Sequence, residues 1–295
     1  MADTRVLSLA RGRWRRRLPG PGVVLAASFA ACAPAKNYPD PQGPRYSGSF
    51  ARERATGLKV VTFNIRFARR IDRTEELFHK ADHLRGADVI ALQEMDAPGT
   101  ETLARELGYD YVYYPSALHP RTHRDFGNAV LSRWPIQSDH KLVLPHLSGL
   151  RRMARSVTAA DLRLPAGLVR VYSVHLATPA ELLPQARVDQ ALAIAEDARG
   201  FPGAVIVAGD FNNRDLVVRV FENADFTWIT RDLGATLRFF CWDHVFARGL
   251  EAPPPKGRGI VADNNGASDH LPVWVDLPLP VPQPASVPAV PTASR

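Results

Sequence analysis

The chain has 295 residues, 45% of them apolar, enough for one large domain with a proper core. Two cysteines exclude a disulfide-rich framework. The net charge of +7 says less than it suggests, because Arg5, Arg11, Arg13, Arg15, Arg16 and Arg17 stand against Asp3 alone in residues 1–31, leaving only about +2 for the rest. Bulk basicity is therefore no argument for a nucleic-acid partner.

The arginine-rich head is followed by the apolar run of "PGVVLAASFAAC", the order expected of an export signal over residues 1–31. That run falls well short of the roughly 20 residues needed to cross a bilayer. Ser28-Phe29-Ala30-Ala31-Cys32 resembles a bacterial lipoprotein cleavage box, with Phe29 where leucine is usual. The expectation is an exported protein of the cell envelope that contacts the membrane through lipidated Cys32, or a secreted one if that residue is not acylated. Residues 32–57, rich in Pro, Gly and Ser, are expected as a flexible tether. Cys241 is then the one remaining thiol, so no internal disulfide is expected.

From residue 58 the pattern changes. "LKVVTFNIRF" (58–67) alternates as a strand, and "IDRTEELFHKADHLRG" (71–86) carries Leu77, Phe78, Ala81 and Leu84 at helical spacing. "ADVIALQE" (87–94) reads as a buried strand, 99–108 as a short helix, "DYVYY" and "GNAVLSR" as strands. "RSVTAADLRL" (155–164) and "GLVRVYSVHL" (167–176), joined by "PAG", predict a hairpin. A helix over 181–199, a buried strand over 203–209 and two last strands in "CWDHVFARGL" and "HLPVWVDLPL" complete the domain, 58–279. The Phe239–Trp242 run is expected to pack into the core as it leads into a strand. Residues 280–295 are Pro-rich and expected to be disordered. Two packed sheets with helices outside is the architecture this order suggests.

Polar residues sit where these strands end: Asn64, Glu94, His175, Asp210 with Asn212, Asp243, and the Asp269–His270 pair. Singly, each has a structural explanation, such as a turn cap or a satisfied core histidine. Together they match the way an α/β scaffold assembles a site from several strand ends. Carboxylates, amides and histidines favour a hard, oxygen-seeking cation over a thiolate-held zinc. The chain has no HExxH, no C-x-x-C pair, no phosphate loop of the GxxxxGK[ST] kind and no G-x-S-x-G elbow. A cation, acidic ligands and histidine point to hydrolysis of a phosphoester.

"TFNIR", "LQE", "GNAVLSR", "VHL", "GDFN", "WDHVF" and "SDH" come in the order found in the endonuclease/exonuclease/phosphatase family, and residues 58–277 resemble that family throughout. The resemblance implies a four-layered DNase I-like α/β sandwich: two mostly antiparallel sheets face to face, with helices outside. It implies a metal site of Asn64, Glu94 and Asp269 for Mg2+, with Mn2+ as the alternative. It also implies a catalytic set of His175, Asp210, Asn212, Asp243 and His270. In that set Asp210 handles the attacking water, Asn212 holds phosphate or water, and Asp243 orients His270. His175 contacts the phosphate and assists the leaving oxygen. Asp125 is a candidate partner for His175 that the register leaves unassigned, Asn128 and Arg133 read as structural, and "RRMAR" (151–155) reads first as a solvated basic loop.

Among substrates DNA is expected first, through a phosphodiesterase or nuclease activity. An inositol phosphate or phospholipid headgroup is the alternative, and a non-catalytic binding protein on the same scaffold the second alternative. No obligate protein partner is expected, and the chain is expected to be a monomer.

Overall fold

The computed structural model describes residues 34–39, 45–46, 57–120 and 122–279. The expected signal segment, Cys32, most of the tether and the Pro-rich tail lie outside the described residues, as does Arg121.

The first strands are β1 (Arg45–Tyr46) and β2 (Gly57–Asn64), followed by helix α1 (Ile71–Lys80). Then come β3 (Val89–Met95), α2 (Ala97–Leu107), β4 (Asp110–Leu118), β5 (Asp125–Ser132) and β6 (Ile136–Val143). The predicted hairpin is β7 (Ser156–Leu164) with β8 (Gly167–His175), and α3 (Pro184–Arg199) follows it. The chain ends with β9 (Ala204–Asp210), α4 (Asp215–Glu222), β10 (Thr227–Trp228), β11 (Asp243–Arg248), β12 (Arg258–Ile260) and β13 (Val273–Pro278).

One sheet has the order β1-β4-β5-β3-β2-β13-β12, the other β10-β11-β9-β8-β7-β6. Each contains one parallel pair among antiparallel neighbours, β2 with β3 and β8 with β9. Strand alternation builds the layers. Val60, Val89, Ala91 and Val130 face Ala160, Val171, Ile206, Ala208 and Val245 between the sheets. The outer face of the first sheet packs Val61, Phe63, Ile90 and Leu92 under Leu77, Phe78, Leu103 and Ala104 of α1 and α2. The outer face of the second packs Val205, Val207 and Phe246 under Ile194, Ala198, Val217 and Phe221 of α3 and α4. The four-layered sandwich expected from the sequence is the observed fold.

Differences from the expected boundaries have local causes. Helix α1 stops at Lys80, where Ala81 turns extended, and isolated turns carry the chain on to Gly86 at φ +68°. Helix α2 begins two residues early because Asp96 caps it, its Oδ1 accepting from Gly99 N at 2.8 Å. Helix α3 begins at Pro184, whose fixed φ and missing N–H suit a first helical position. Strand β6 and helix α4 were not expected. The former is an edge strand of mixed polarity, the latter a run of valines whose β-branching obscures the helical spacing.

The described part of the tether is not free. Residues 34–39 lie against the domain: Ala35 N donates to Arg151 O at 2.7 Å, Leu118 N to Lys36 O at 2.8 Å, and Ala154 N to Asn37 Oδ1 at 2.7 Å. Backbone pairing and the Tyr38 hydroxyl, which donates to Asp125 Oδ1 at 2.8 Å, hold a segment whose composition alone reads as linker.

Candidate active site

Inward-facing positions of both sheets run out at the same end of the sandwich. In the second sheet His175 pairs with Asp210 and Asp210 with Asp243, so the ends of β8 and β9 and the start of β11 put three polar side chains in one row. Each continues the inward alternation of its strand, Val171 and Ser173 before His175, Ile206 and Ala208 before Asp210. Asn64 does the same at the end of β2. Gln93 on the neighbouring strand plugs the gap beneath them, its Nε2 donating to Thr62 Oγ1 at 3.2 Å and to Ser173 Oγ at 3.1 Å across the two sheets.

Glu94 arrives by a different route. Alternation along β3 places Ala91 and Gln93 inward, which would turn Glu94 toward the helices. The pairing of β3 with β5 slips by one residue between Leu92 and Met95, and Glu94 takes φ +58°. This bulge swings the carboxylate into the site. A left-handed backbone at a glutamate is strained and is held here by its contacts: Oε2 accepts from Phe67 N at 3.1 Å and Oε1 from Asn64 Nδ2 at 3.2 Å.

Asp210 is the hub. Its Oδ2 accepts from Asn64 Nδ2 at 3.0 Å and stands 3.6 Å from His175 Nε2 and 3.7 Å from His270 Nε2, while Oδ1 accepts from Asn212 N at 2.8 Å. Asn212 sits at φ +49°, and its Nδ2 donates to Leu176 O at 2.9 Å. Phe211 between them turns into the helix-side core. His270 Nδ1 lies 2.8 Å from Asp243 Oδ2. The loop that carries this ring is pinned by Ser268 Oγ, which donates to Asn64 O at 2.6 Å, and by Asn264 Nδ2, which donates to His270 O at 2.5 Å.

Burial and charge set opposed protonation states. Desolvation pushes the Asp210 carboxyl up to about 7, against the pull of the His270 cation. Desolvation also raises Glu94 above the usual carboxylate range, partly offset by Asn64 and Arg155. Burial works against a charged His270, but the carboxylates of Asp243 and Asp210 outweigh it and hold its pKa up to about 10. Burial, with the charges of Arg155 and His270, pushes His175 well below the ordinary histidine range. The surroundings thus favour the charged form of His270 and the neutral form of His175.

Seven of the eight expected residues gather around Asp210; Glu94, His175, Asp210, Asn212 and His270 line the cleft, and Asn64 and Asp243 brace them from behind. Asp269 stands apart at the cleft rim, 42% exposed, with Oδ2 3.3 Å from Arg66 Nε. Asp125, the candidate that the sequence left unassigned, is taken by Tyr38, and His175 Nδ1 is buried without a hydrogen-bond partner. Arg155 is the residue that sequence reasoning undervalued. It is buried rather than solvated, lines the cleft, donates through Nη2 to Glu181 Oε2 at 2.7 Å, and leaves Nε and Nη1 without partners. The signal was an arginine at the head of an apolar strand. Phe239–Trp242 is a second correction, since Phe239 is 78% exposed. The run forms a tight turn at the cleft mouth rather than core, because Leu237 and Phe240 close on each other through paired backbone bonds.

The ligand atoms that gather within 4.8 Å of one another among the described residues belong to Asp210, Asp243 and His270. Two of them already bond each other, so the oxygens best placed for a hard cation are those of Glu94 and Asp210, bridged by one Asn64 amide. Asp243 Oδ1 is buried with no partner. Buried carboxylates, an amide and no thiolate fit a divalent, oxygen-seeking ion. Above this floor opens a cleft of about 590 Å³.

A four-layered sandwich with acidic and imidazole groups at its strand ends defines a metal-dependent hydrolase. The chain belongs to the Endonuclease/Exonuclease/phosphatase family, whose model matches residues 61–270. It is similar in fold to D. rerio TDP2 complexed with single strand DNA product (TM-score 0.58, 17% identity, 76% of this chain and 99% of that chain). Sphingomyelinase C from Streptomyces griseocarneus superposes with a TM-score of 0.57 at 19% identity, over 75% and 99% of the two chains. An endonuclease/exonuclease/phosphatase from Beutenbergia cavernae gives 0.57 at 23% identity, over 76% and 72%. No curated protein matches the sequence.

Proposed function

We propose that the chain hydrolyses phosphodiesters with a water molecule activated on Asp210. The observation that carries this reading is the single oxygen, Asp210 Oδ2, faced by an amide and two imidazoles within 3.7 Å. Glu94 and Asp210 would hold a divalent cation, Mg2+ first and Mn2+ as the alternative, which would supply charge neutralisation at the phosphoryl group. Asp210 accepts the proton of the attacking water, its carboxylate aimed by Asn64 and Asn212 N. Asp243 keeps His270 cationic and oriented, so the ring balances charge on a non-bridging oxygen. Because His270 and Asp210 are 3.7 Å apart, they act on the same side of the phosphorus, and His270 is not the acid for a leaving group opposite the water. His175 offers Nε2, and Arg155 its positive charge at the cleft wall, to the remaining oxygens.

Substrate class follows from the charge of the walls. Arg66, Arg151 and Arg155 line the cleft against Glu94, Glu181, Asp210 and Asp269. That balance suits one phosphate better than a run of them, which calls for a cationic track. A phospholipid headgroup diester is the leading reading. DNA is the second, supported by the stack of Phe240 on Trp242 at 4.2 Å, a platform for a base, and by the DNA product named for D. rerio TDP2. Export and a lipid anchor at Cys32 are carried forward as a further proposal, checked by the mass of the mature N-terminus. The deciding assay is release of product by the purified protein with Mg2+, with EDTA as control. Its substrates are bis-p-nitrophenyl phosphate, phospholipid vesicles and single-stranded DNA. Failure on all three, in the presence of Mg2+ and of Mn2+, removes the enzymatic reading.

A further inference from the structure

The large apolar side chains that face solvent are not scattered over the molecule. Seven are exposed among the described residues, and five of these, Leu147, Leu150, Leu183, Phe239 and Phe240, belong to three loops that build the mouth of the cleft. Leu150 is 90% exposed, and Leu183 and Phe239 are 78% each. Isolated apolar residues on a surface need no explanation, but a cluster around a site opening does.

Backbone bonds hold these tips outward. Ser148 and Met153 exchange bonds of 2.8 and 2.9 Å to close one turn, and Gly149 N donates to Glu181 O at 3.3 Å, tying that turn to the loop that ends in Leu183. Leu237 and Phe240 close the third, with Arg238 in the left-handed region at φ +53°. Exposed Arg152 and Arg238 and half-buried Arg151 are interleaved with the apolar tips. The segment 34–39 also enters the fold here, bonded to Arg151 and Arg152.

We infer that this rim docks on an anionic phospholipid bilayer. Leucine and phenylalanine tips insert at the level of the headgroups, guanidiniums meet lipid phosphates, and the cleft opens onto the layer it would hydrolyse. The occupant is chosen by the side chains themselves. Three of the five are leucines, which have no π face on which a nucleic-acid base could stack but suit acyl chains well. What the docked cleft acts on rests on the phosphodiesterase reading, whereas docking itself does not depend on turnover.

The test is flotation of the full chain carrying Cys32→Ser, so that no acyl group contributes, with EDTA present. The vesicles contain equal parts of phosphatidylglycerol and phosphatidylcholine, or phosphatidylcholine alone. The chain is expected to float with the anionic vesicles and less with the neutral ones. Adding Leu150→Ser and Phe239→Ser should cut the partition by about 10-fold or more, since both side chains lose their apolar burial. Hydrolysis of bis-p-nitrophenyl phosphate in Mg2+ should stay at the parent rate. The inference is overturned if the parent remains soluble, if the double variant floats as well as the parent, or if the two substitutions weaken binding of a single-stranded oligonucleotide and leave flotation unchanged. Failure of the phosphodiesterase reading shows separately, as absence of turnover by the parent whatever floats.

Discussion

His270 and Asp243 form a buried pair, Nδ1 to Oδ2 at 2.8 Å, and this contact fixes both the tilt and the charge of the ring. Asp243→Asn keeps the shape and removes the charge. It should lower kcat by about 100-fold or more with little change in KM, the scale of a lost charge-stabilising group. Steady-state kinetics on a soluble diester check it. An unchanged kcat would remove His270 from the charge-balancing role.

The pH profile should be bell-shaped. Burial raises Asp210 to about 7, so the reactive carboxylate is depleted as pH falls, and kcat/KM drops on the acid side. The carboxylates hold His270 cationic up to about 10, so the alkaline limb marks loss of that proton. A bound cation moves the acid limb lower. In Asp243→Asn the alkaline limb should move down in pH, because the principal attraction for the proton is gone. An alkaline limb that stays in place in Asp243→Asn would be incompatible with these roles.

The same shift makes Asp210 a stability cost. Its folded pKa lies above the unfolded value, so the metal-free fold is unaffected below about pH 4, weakens as pH rises, and carries the full penalty above about 7. Asp210→Asn should therefore abolish turnover yet melt higher than the parent at pH 8 in EDTA, with the gain vanishing near pH 4. Calorimetry at the two pH values distinguishes this from general stabilisation.

Glu94 should control ion binding independently of catalysis. Adding Mg2+ or Mn2+ to the parent should raise Tm, since an ion that binds only the native state stabilises it by mass action. Glu94→Gln should bind the ion at least about 10-fold more weakly, as a lost charged ligand implies, and show little of that rise. Isothermal titration and melting curves read this without any substrate. Equal ion affinity in parent and variant would move the cation away from Glu94.

Gly209 is required by contact rather than by turn geometry. A Cβ at this position would lie 2.0 Å from Val174 O, inside the parallel pair that carries both His175 and Asp210. Gly209→Ala should cost about 1–3 kcal/mol of stability through overpacking, read from denaturant midpoints, and should lower activity as the two strand ends separate.

Much of this was legible because strand alternation and strand ends are local properties. Asn64, His175, Asp210 and Asp243 all continue the inward phase of their own strands, so hydrophobic period alone points them the same way. Glu94 was found by its place at a strand end and by its motif, but its inward direction was not legible, because a bulge is invisible to alternation. Arg155 and the Phe239 turn were misread for a related reason. Whether an arginine is buried against a glutamate, or a phenylalanine faces water, depends on loops that meet only in the folded chain. Asp269 shows the converse: its neighbour His270 points to the floor, so it points to the rim and meets Arg66.

The slip between Leu92 and Met95 means that architecture and chemistry are written separately in this chain. The extra residue lets Gln93 keep its place between the sheets while Glu94, next to it, also reaches the cleft; strict alternation would turn only one of the two inward. One inserted residue thus gives a single strand two duties at adjacent positions, bracing the interior and furnishing the cleft.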